Sequence, residues 1–242
     1  MNIFPFEWVS HCITHVGRVR EINEDACLDL PERGLWVVAD GMGGHDAGDV
    51  ASRLVVDSLR DVGGYRRFSE FVDDVEQRLI GVNRALIEQA QRIDAETTIG
   101  STVVALLAYG RHCVCLWAGD SRLYRYRGGR LVQISRDHSE VEELIQRGVV
   151  SRQNAGNHQL ANVITRAVGA APELYLDAEL NEILPGDRYL LCSDGLNKEV
   201  SDREIRECMA TPNSEKICET LVNLALSRGC RDNITVVAAI AC

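Results

Sequence analysis

The succession of apolar segments predicts an α+β fold in which antiparallel sheets are covered by helices. Strand-like runs come in groups, two long amphipathic segments separate those groups, and a glycine-rich turn joins two adjacent runs. Strict strand–helix alternation, the pattern of a doubly wound parallel sheet, is missing.

Cys12–Val16, Ala26–Leu30 and Leu35–Ala39 read as strands, and the last is apolar enough to be buried on both faces. Residues Ala47–Leu59 place Val50, Ala51, Leu54, Val55 and Leu59 on one helical face. From Phe68 to Ile93 apolar residues recur with the i, i+3, i+4 spacing of a second amphipathic helix. The runs Ser101–Ala108, Val114–Ala118, Leu123–Arg127 and Arg130–Ile134 follow, and Gly128-Gly129 is a two-residue hairpin signal. Tight connections between adjacent runs predict antiparallel pairing. Ser139-x-x-Glu142 is a capping-box pattern opening a short helix that stops at Gly148, and Val149–Gln159 reads as a mobile loop. Tyr189–Cys192 is a strand, Ser201-x-x-Glu204 opens another helix, Ser214–Leu226 is amphipathic, and Ile234–Ile240 is a final strand.

Composition narrows the function. The chain has 242 residues, 45% hydrophobic and 26% charged, which fits a single soluble domain over 1–242 and, without any apolar run of membrane-spanning length, no membrane partner. A formal net charge of -10 argues against a nucleic-acid partner. Nine irregularly spaced cysteines without a CxxC pair predict free thiols in a reducing, cytoplasmic setting, and the N-terminus lacks the pattern of a signal peptide.

Four acidic clusters hold the chemistry: Arg20-x-x-Asn23-Glu24-Asp25, Asp40-Gly41-Met42-Gly43-Gly44-His45, Ser193-Asp194-Gly195 and Asp232-Asn233. Asp40 and Asp194 follow apolar strands, and Asp232 precedes one. A single Asp-Gly is ordinarily a turn. Three such acids at strand ends repel each other unless a hard divalent cation joins them. Arg20 beside its acids is either a surface ion pair or a fork for phosphate. Gly119-Asp120-Ser121-Arg122 reads as a polar hairpin turn. None of the six histidines is placed among metal ligands, because oxygen-rich sites suit Mg2+ or Mn2+.

Together, Gly17–Arg20 with Asn23-Glu24-Asp25, Val38–Gly44, Gly100-Ser101-Thr102, Gly119–Arg122, Cys192–Leu196 and Asp232–Thr235 resemble the ordered motifs of the metal-dependent PPM (type 2C) Ser/Thr protein phosphatases in their compact bacterial form. The likeness spans about residues 10–240, and within the family it extends to a bacterial phosphatase paired with a kinase controlling type VI secretion. The resemblance implies a central sandwich of two antiparallel β-sheets flanked by α-helices on both faces. It implies hydrolysis of phosphoserine and phosphothreonine in proteins by a hydroxide bridging two Mn2+ or Mg2+ ions, with a possible third ion. Asp40 would bridge the ions with the Gly41 carbonyl on one, Asp194 and Asp232 would complete the first, and Glu24 supported by Asp25 would serve the second. Asp120 would match a third-metal aspartate, and Arg20 would hold the substrate phosphate. Residues 139–165 would form a flap, and a monomer would act on phosphorylated proteins, a Ser/Thr kinase and its substrates among them. Met42 stands where many relatives carry a histidine proposed as general acid, so that role has no residue here; His45, three residues on, does not inherit it. His15 replaces an acid and is expected to weaken hydrogen bonding around the first strand. The alternative reading is a catalytically weak module of the same fold that binds phosphoproteins.

Overall fold

The computed structural model describes residues 6–43, 47–93, 97–152, 154–155 and 158–242; Gly44 and His45 of the second motif lie outside the described residues. The strands are β1 (Trp8–His15), β2 (Asp25–Leu30), β3 (Leu35–Gly43), β4 (Ile99–Ser101), β5 (Val103–Tyr109), β6 (His112–Ala118), β7 (Arg122–Arg127), β8 (Arg130–Gln133), β9 (Asp177–Glu182), β10 (Arg188–Cys192) and β11 (Ile234–Ala241). The helices are α1 (Ala47–Ser58), α2 (Phe68–Ile93), α3 (Glu140–Gln146), α4 (Asp194–Asn197), α5 (Asp202–Met209) and α6 (Ser214–Ser227).

Two antiparallel sheets form. One runs β1-β11-β10-β7-β8, the other β2-β3-β5-β6-β9 with β4 paired to the end of β3. The period-2 alternation of the strands sorts their apolar residues into three layers. Trp36, Val38, Val104, Leu106, Leu191, Val237 and Ala239 fill the space between the sheets. On the opposite face of β3, Leu35, Val37 and Ala39 pack with Val55, Phe71, Val75 and Leu79 of α1 and α2. The outer face of the other sheet packs Leu190, Val236 and Ala238 against Ile205, Ile217 and Leu221 of α5 and α6. The helix–sheet–sheet–helix order is the sandwich expected from the motif resemblance.

Several sequence expectations need correction. Ser101–Ala108 is two strands, because Thr102 breaks the ladder: its N–H donates to the Asp40 carbonyl (2.8 Å), while Asp40 N–H donates to the Thr102 hydroxyl (3.0 Å) rather than to a backbone carbonyl. The connection from β6 to β7 is not a hairpin, since the two strands belong to different sheets. Val50 is 42% exposed, because α1 turns a face of small residues, Ala47, Gly48, Ala51 and Ser52, inward. Ile93, the last residue of α2, is likewise exposed. His15 does not weaken its strand: β1 stays paired through His15↔Ile234, and His15 Nδ1 accepts from Gly17 N–H at 2.9 Å. The capping box at Ser201 is complete, whereas at Ser139 only the serine half is observed and the Glu142 carboxylate pairs with Arg152 instead. Strand β9 and helix α4 had no sequence signal.

Trp36 is fully buried between the sheets, its ring centroid 4.6 Å from that of Trp8. Trp36→Ala leaves a void that rigid strands cannot close, and a loss of about 3–5 kcal/mol in urea unfolding is expected; a change below 1 kcal/mol would mean that the inter-sheet layer repacks freely.

Candidate functional site

The acids assemble where strands of both sheets end. Asp25, first residue of β2, lies directly opposite Asp40 in β3. Asp40 is not at a strand end as expected, because β3 continues to Gly43 by exchanging β5 for β4 as its partner. The Asp-Gly sequence is therefore not a turn. Gly41 is required for close approach: a Cβ there would lie 1.9 Å from the Gly48 carbonyl oxygen in the first turn of α1. Gly195 follows the same rule, since its Cβ would lie 2.0 Å from the Asn233 carbonyl oxygen. Asp194 sits just past β10, as the first residue of α4, and Asp232 lies two residues before β11.

Asn233 ties these pieces together. Its Oδ1 accepts from Glu24 N–H and its Nδ2 donates to the carbonyls of Val16 and Ile22, each at 2.9 Å. The segment between β1 and β2 is thereby fixed to the start of β11. Ser193 plays a matching part, donating from Oγ to Asp25 Oδ2 at 2.7 Å while accepting from Thr235 N–H at 2.9 Å. Glu24 turns its carboxylate to the backbone of Gly48 at the start of α1. Asp120 is buried in the crossover between the sheets, beside Gly119 (φ +115°), which packs over Thr102. The Thr102 and Ser121 hydroxyls share a hydrogen bond of 2.7 Å beneath it.

Two cations meet the acids. The Lys198 ammonium, one turn along from Asp194, pairs with Asp194 and reaches Asp232 at 3.4 Å. Arg20 Nη2 pairs with Asp232 Oδ1 at 2.9 Å and remains 52% exposed, so the ion-pair reading of Arg20 describes this conformation. Lys198 was not singled out from sequence, and Ser193 and Asn233 stood in the acidic motifs without a role assigned to them. Lys198 lies four residues after Asp194, an i, i+4 spacing that could have flagged it.

The carboxyls are poorly compensated. Burial first, then repulsion from Asp25, Asp194, Asp120 and Asp232, pushes Asp40 well above the usual range. Burial raises Asp25 to about 7 despite the Ser193 hydrogen bond, and burial with repulsion from Asp194 and Asp137 raises Asp120 to about 7. Asp194 is also raised by burial, although Lys198 opposes the shift. Asp25 Oδ1 and Asp120 Oδ1 are buried without any hydrogen-bond donor. Among the described residues no three acidic, His or Cys side chains form a finished metal cage. The donor set nonetheless fits a hard cation: all are oxygens, two are buried without partners, and Asp194 and Asp232 already converge on one ammonium. A cavity of about 580 Å³ opens beside them, bounded by Asp120, Asp194 and Asp232 on one side and by Ser139, Glu142, Arg152 and Asn162 on the other. The overhanging segment is pinned at its base by the Ser139↔Ile164 bridge.

The site is a buried acid cluster at one end of a helix-flanked β-sandwich, with Arg20 paired to its Asp232. Residues 15–227 match the family model described as Protein phosphatase 2C, and the chain belongs to that family. The Ser/Thr protein phosphatase PstP of Mycobacterium tuberculosis is 35% identical over 223 residues, covering 92% of this chain but 43% of PstP, so the chain spans less than half of that relative. PppA, described as a key regulatory component of T6SS in Pseudomonas aeruginosa, matches with a TM-score of 0.90 at 47% identity, over 97% of this chain and 98% of that one. The catalytic domain of PstP, solved in complex with 2 manganese ions, matches with a TM-score of 0.84 at 34% identity, over 97% and 98% of the two chains.

Two outcomes follow from the electrostatics. Asp25 and Asp120 titrate near 7 when folded and near 3.8 when unfolded, so the folded chain holds more protons between those values and these groups' stabilisation is lost as pH rises through that interval. With chelator, the melting temperature should fall between pH 5 and pH 7.5, and Mn2+ should flatten the fall by holding the carboxylates charged; equal slopes would remove the acid cluster as its cause. Lys198→Met should cost the metal-free protein about 1–2 kcal/mol in urea unfolding, recovered with Mn2+; an unchanged midpoint would mean the ammonium compensates nothing.

Proposed function

We propose that this chain hydrolyses phosphoserine and phosphothreonine in proteins, with two Mn2+ or Mg2+ ions and a possible third, opposing a Ser/Thr kinase. The observation that carries this reading is the set of buried carboxylates without sufficient counter-charge beside a cavity lined by Asp120, Asp194 and Asp232, the last of which pairs with Arg20. Membership of the protein phosphatase 2C family and the manganese-containing PstP domain support it.

Asp40, the Gly41 carbonyl, Asp194, Asp232, Asp120 and Glu24 with Asp25 behind it would hold the ions. When bound, the ions would supply a water of lowered pKa and offset phosphoryl charge. The chain's own residues do the positioning. Lys198 gives up Asp194 and Asp232 when a stronger cation arrives. Arg20, half-exposed and paired with Asp232, can turn its fork onto the phosphate. Ser193 and Asn233 keep Asp25 and the Arg20–Glu24 segment in place while the charges exchange. No cysteine is needed as nucleophile: Cys192 is buried in the outer core, and burial pushes its thiol up to about 12. Residues 139–165 would form the flap, a reading supported by Ser139, Glu142, Arg152 and Asn162, which line the cavity.

The 47% identity to PppA supports a role in control of type VI secretion. All nine cysteines are unpaired, which supports a cytoplasmic setting, and no helix among the described residues is long and apolar enough to cross a membrane. The monomeric state and the absence of nucleic-acid partners rest on the net charge of -10 and the sequence pattern alone.

Phosphate release from a phosphothreonine peptide tests the reading. Turnover should require Mn2+ or Mg2+, stop with EDTA, and fall at least about 100-fold in Asp40→Asn and Asp194→Asn. Arg20→Ala should raise KM about tenfold, the loss of one charge-assisted contact. Metal-independent turnover would defeat the two-ion mechanism, and tight binding of phosphoprotein without turnover would make the chain a binding module.

A further inference from the structure

Strand β1 ends one sheet and β2 ends the other, and these two edges face each other across the same open side of the sandwich. Their side chains meet in a definite register. Ser10 Oγ donates to Asp29 Oδ1 at 2.5 Å, and two residues before β2 Asn23 Nδ2 donates to Thr14 Oγ1 at 2.8 Å. Ser10, Cys12 and Thr14 share one face of β1, and Asp25, Cys27 and Asp29 share one face of β2. The two bonds therefore bracket Cys12 and Cys27 and bring them opposite each other. Both thiols pack on the layer between the sheets, both are only half-buried, and each perturbs the other as a direct neighbour. The other cysteines lack this arrangement: Cys113 and Cys115 share one face of β6, Cys192 and Cys230 are buried in the opposite core, and Cys242 is exposed.

We infer that Cys12 and Cys27 are a redox modification site, a thiol pair that closes reversibly into a cross-sheet disulfide. The ring so formed encloses residues 13–26, which include Arg20, Asn23, Glu24 and Asp25. A small-molecule disulfide such as glutathione disulfide suffices as oxidant. The Cys12 thiolate attacks one of its sulfurs and releases one glutathione thiol. The Cys27 thiolate then attacks the mixed disulfide and releases the second, so two protein thiols are oxidised as one disulfide is reduced. The contact between the two holds the Cys12 thiol below its ordinary value while it and burial push Cys27 above, so Cys12 makes the first attack and Cys27 follows once Cys12 is bonded to glutathione. Its closure needs no metal and no substrate, so it stands whether or not the chain is a phosphatase.

Treating the purified full chain with glutathione disulfide at pH 8 and digesting it with trypsin under non-reducing conditions tests the pair. Cleavage after Arg18, Arg20 and Arg33 puts the two cysteines on separate peptides, so the link is visible by mass. The Cys12–Cys27 peptide is expected as the main internal disulfide, removed by dithiothreitol. The melting temperature should rise on the order of 5 °C upon oxidation, and the rise should vanish in Cys12→Ser and Cys27→Ser but persist in Cys218→Ser. Glutathione adducts on Cys12 and Cys27 without the linked peptide, or a Cys12–Cys218 link in its place, would overturn the proposal. The peptide map of the unaltered chain decides the matter even if a serine variant does not fold.

Discussion

Like charges held together in a low-dielectric place are the constraint on which the rest of this molecule depends. Asp25, Asp40, Asp120 and Asp194 are each driven toward protonation by burial, and each has other acids among the groups around it. Such a cluster persists only if the surrounding backbone is too rigid to let it open. Two sheets with an apolar layer between them and helices outside supply that rigidity. A cation bound there, as proposed, would relieve the cluster, so the scaffold and the ligand chemistry would be two sides of one balance.

The rigidity is delivered by contacts closer than side chains normally permit. Gly41 against Gly48, Gly195 against Asn233, and Gly17 against the Asp232 carbonyl each bring two backbones to a separation that a Cβ would block. The amide of Asn233 then fixes three backbone groups of the segment that carries Arg20 and Glu24. Positions near the acids are thus set by main chain and buried amide. The charged side chains at the surface, Arg20 and Lys198, are left to exchange partners.

Much of this was legible in the sequence, for identifiable reasons. Apolar runs such as Leu35–Ala39 and Ile234–Ile240 announce strands buried on both faces, and the periodicity from Phe68 to Ile93 gave the longest helix at its observed ends. The acids themselves stood out because they abut those runs. What failed were features set by tertiary context. Strand β9, Asp177–Glu182, is a sheet edge open to solvent, and its one apolar alternation, Ala178 and Leu180, is too short and too exposed to announce a strand. Gly119–Ser121 looks like a hairpin locally, yet the strands beside it belong to different sheets. The glycines of the Asp-Gly pairs suggested bends, whereas at Gly41 the strand continues and the glycine serves a helix packed on top. Lys198 was overlooked because its importance lies in which acids it reaches, and a sequence does not record that.

The Ser139↔Ile164 bridge gives the segment above the cavity an unusual independence. Its two ends are already joined, so the sheets sense the same span however long the excursion between them becomes. Each doubling of such a loop costs only about 0.6 kcal/mol in closure entropy. Insertions, deletions and wholesale changes of residue type can therefore accumulate there without shifting the register of β8 or β9. The wall opposite the acid cluster is thus the part of the chain most tolerant of changes in length, while the positions of the acids are held by the sheets.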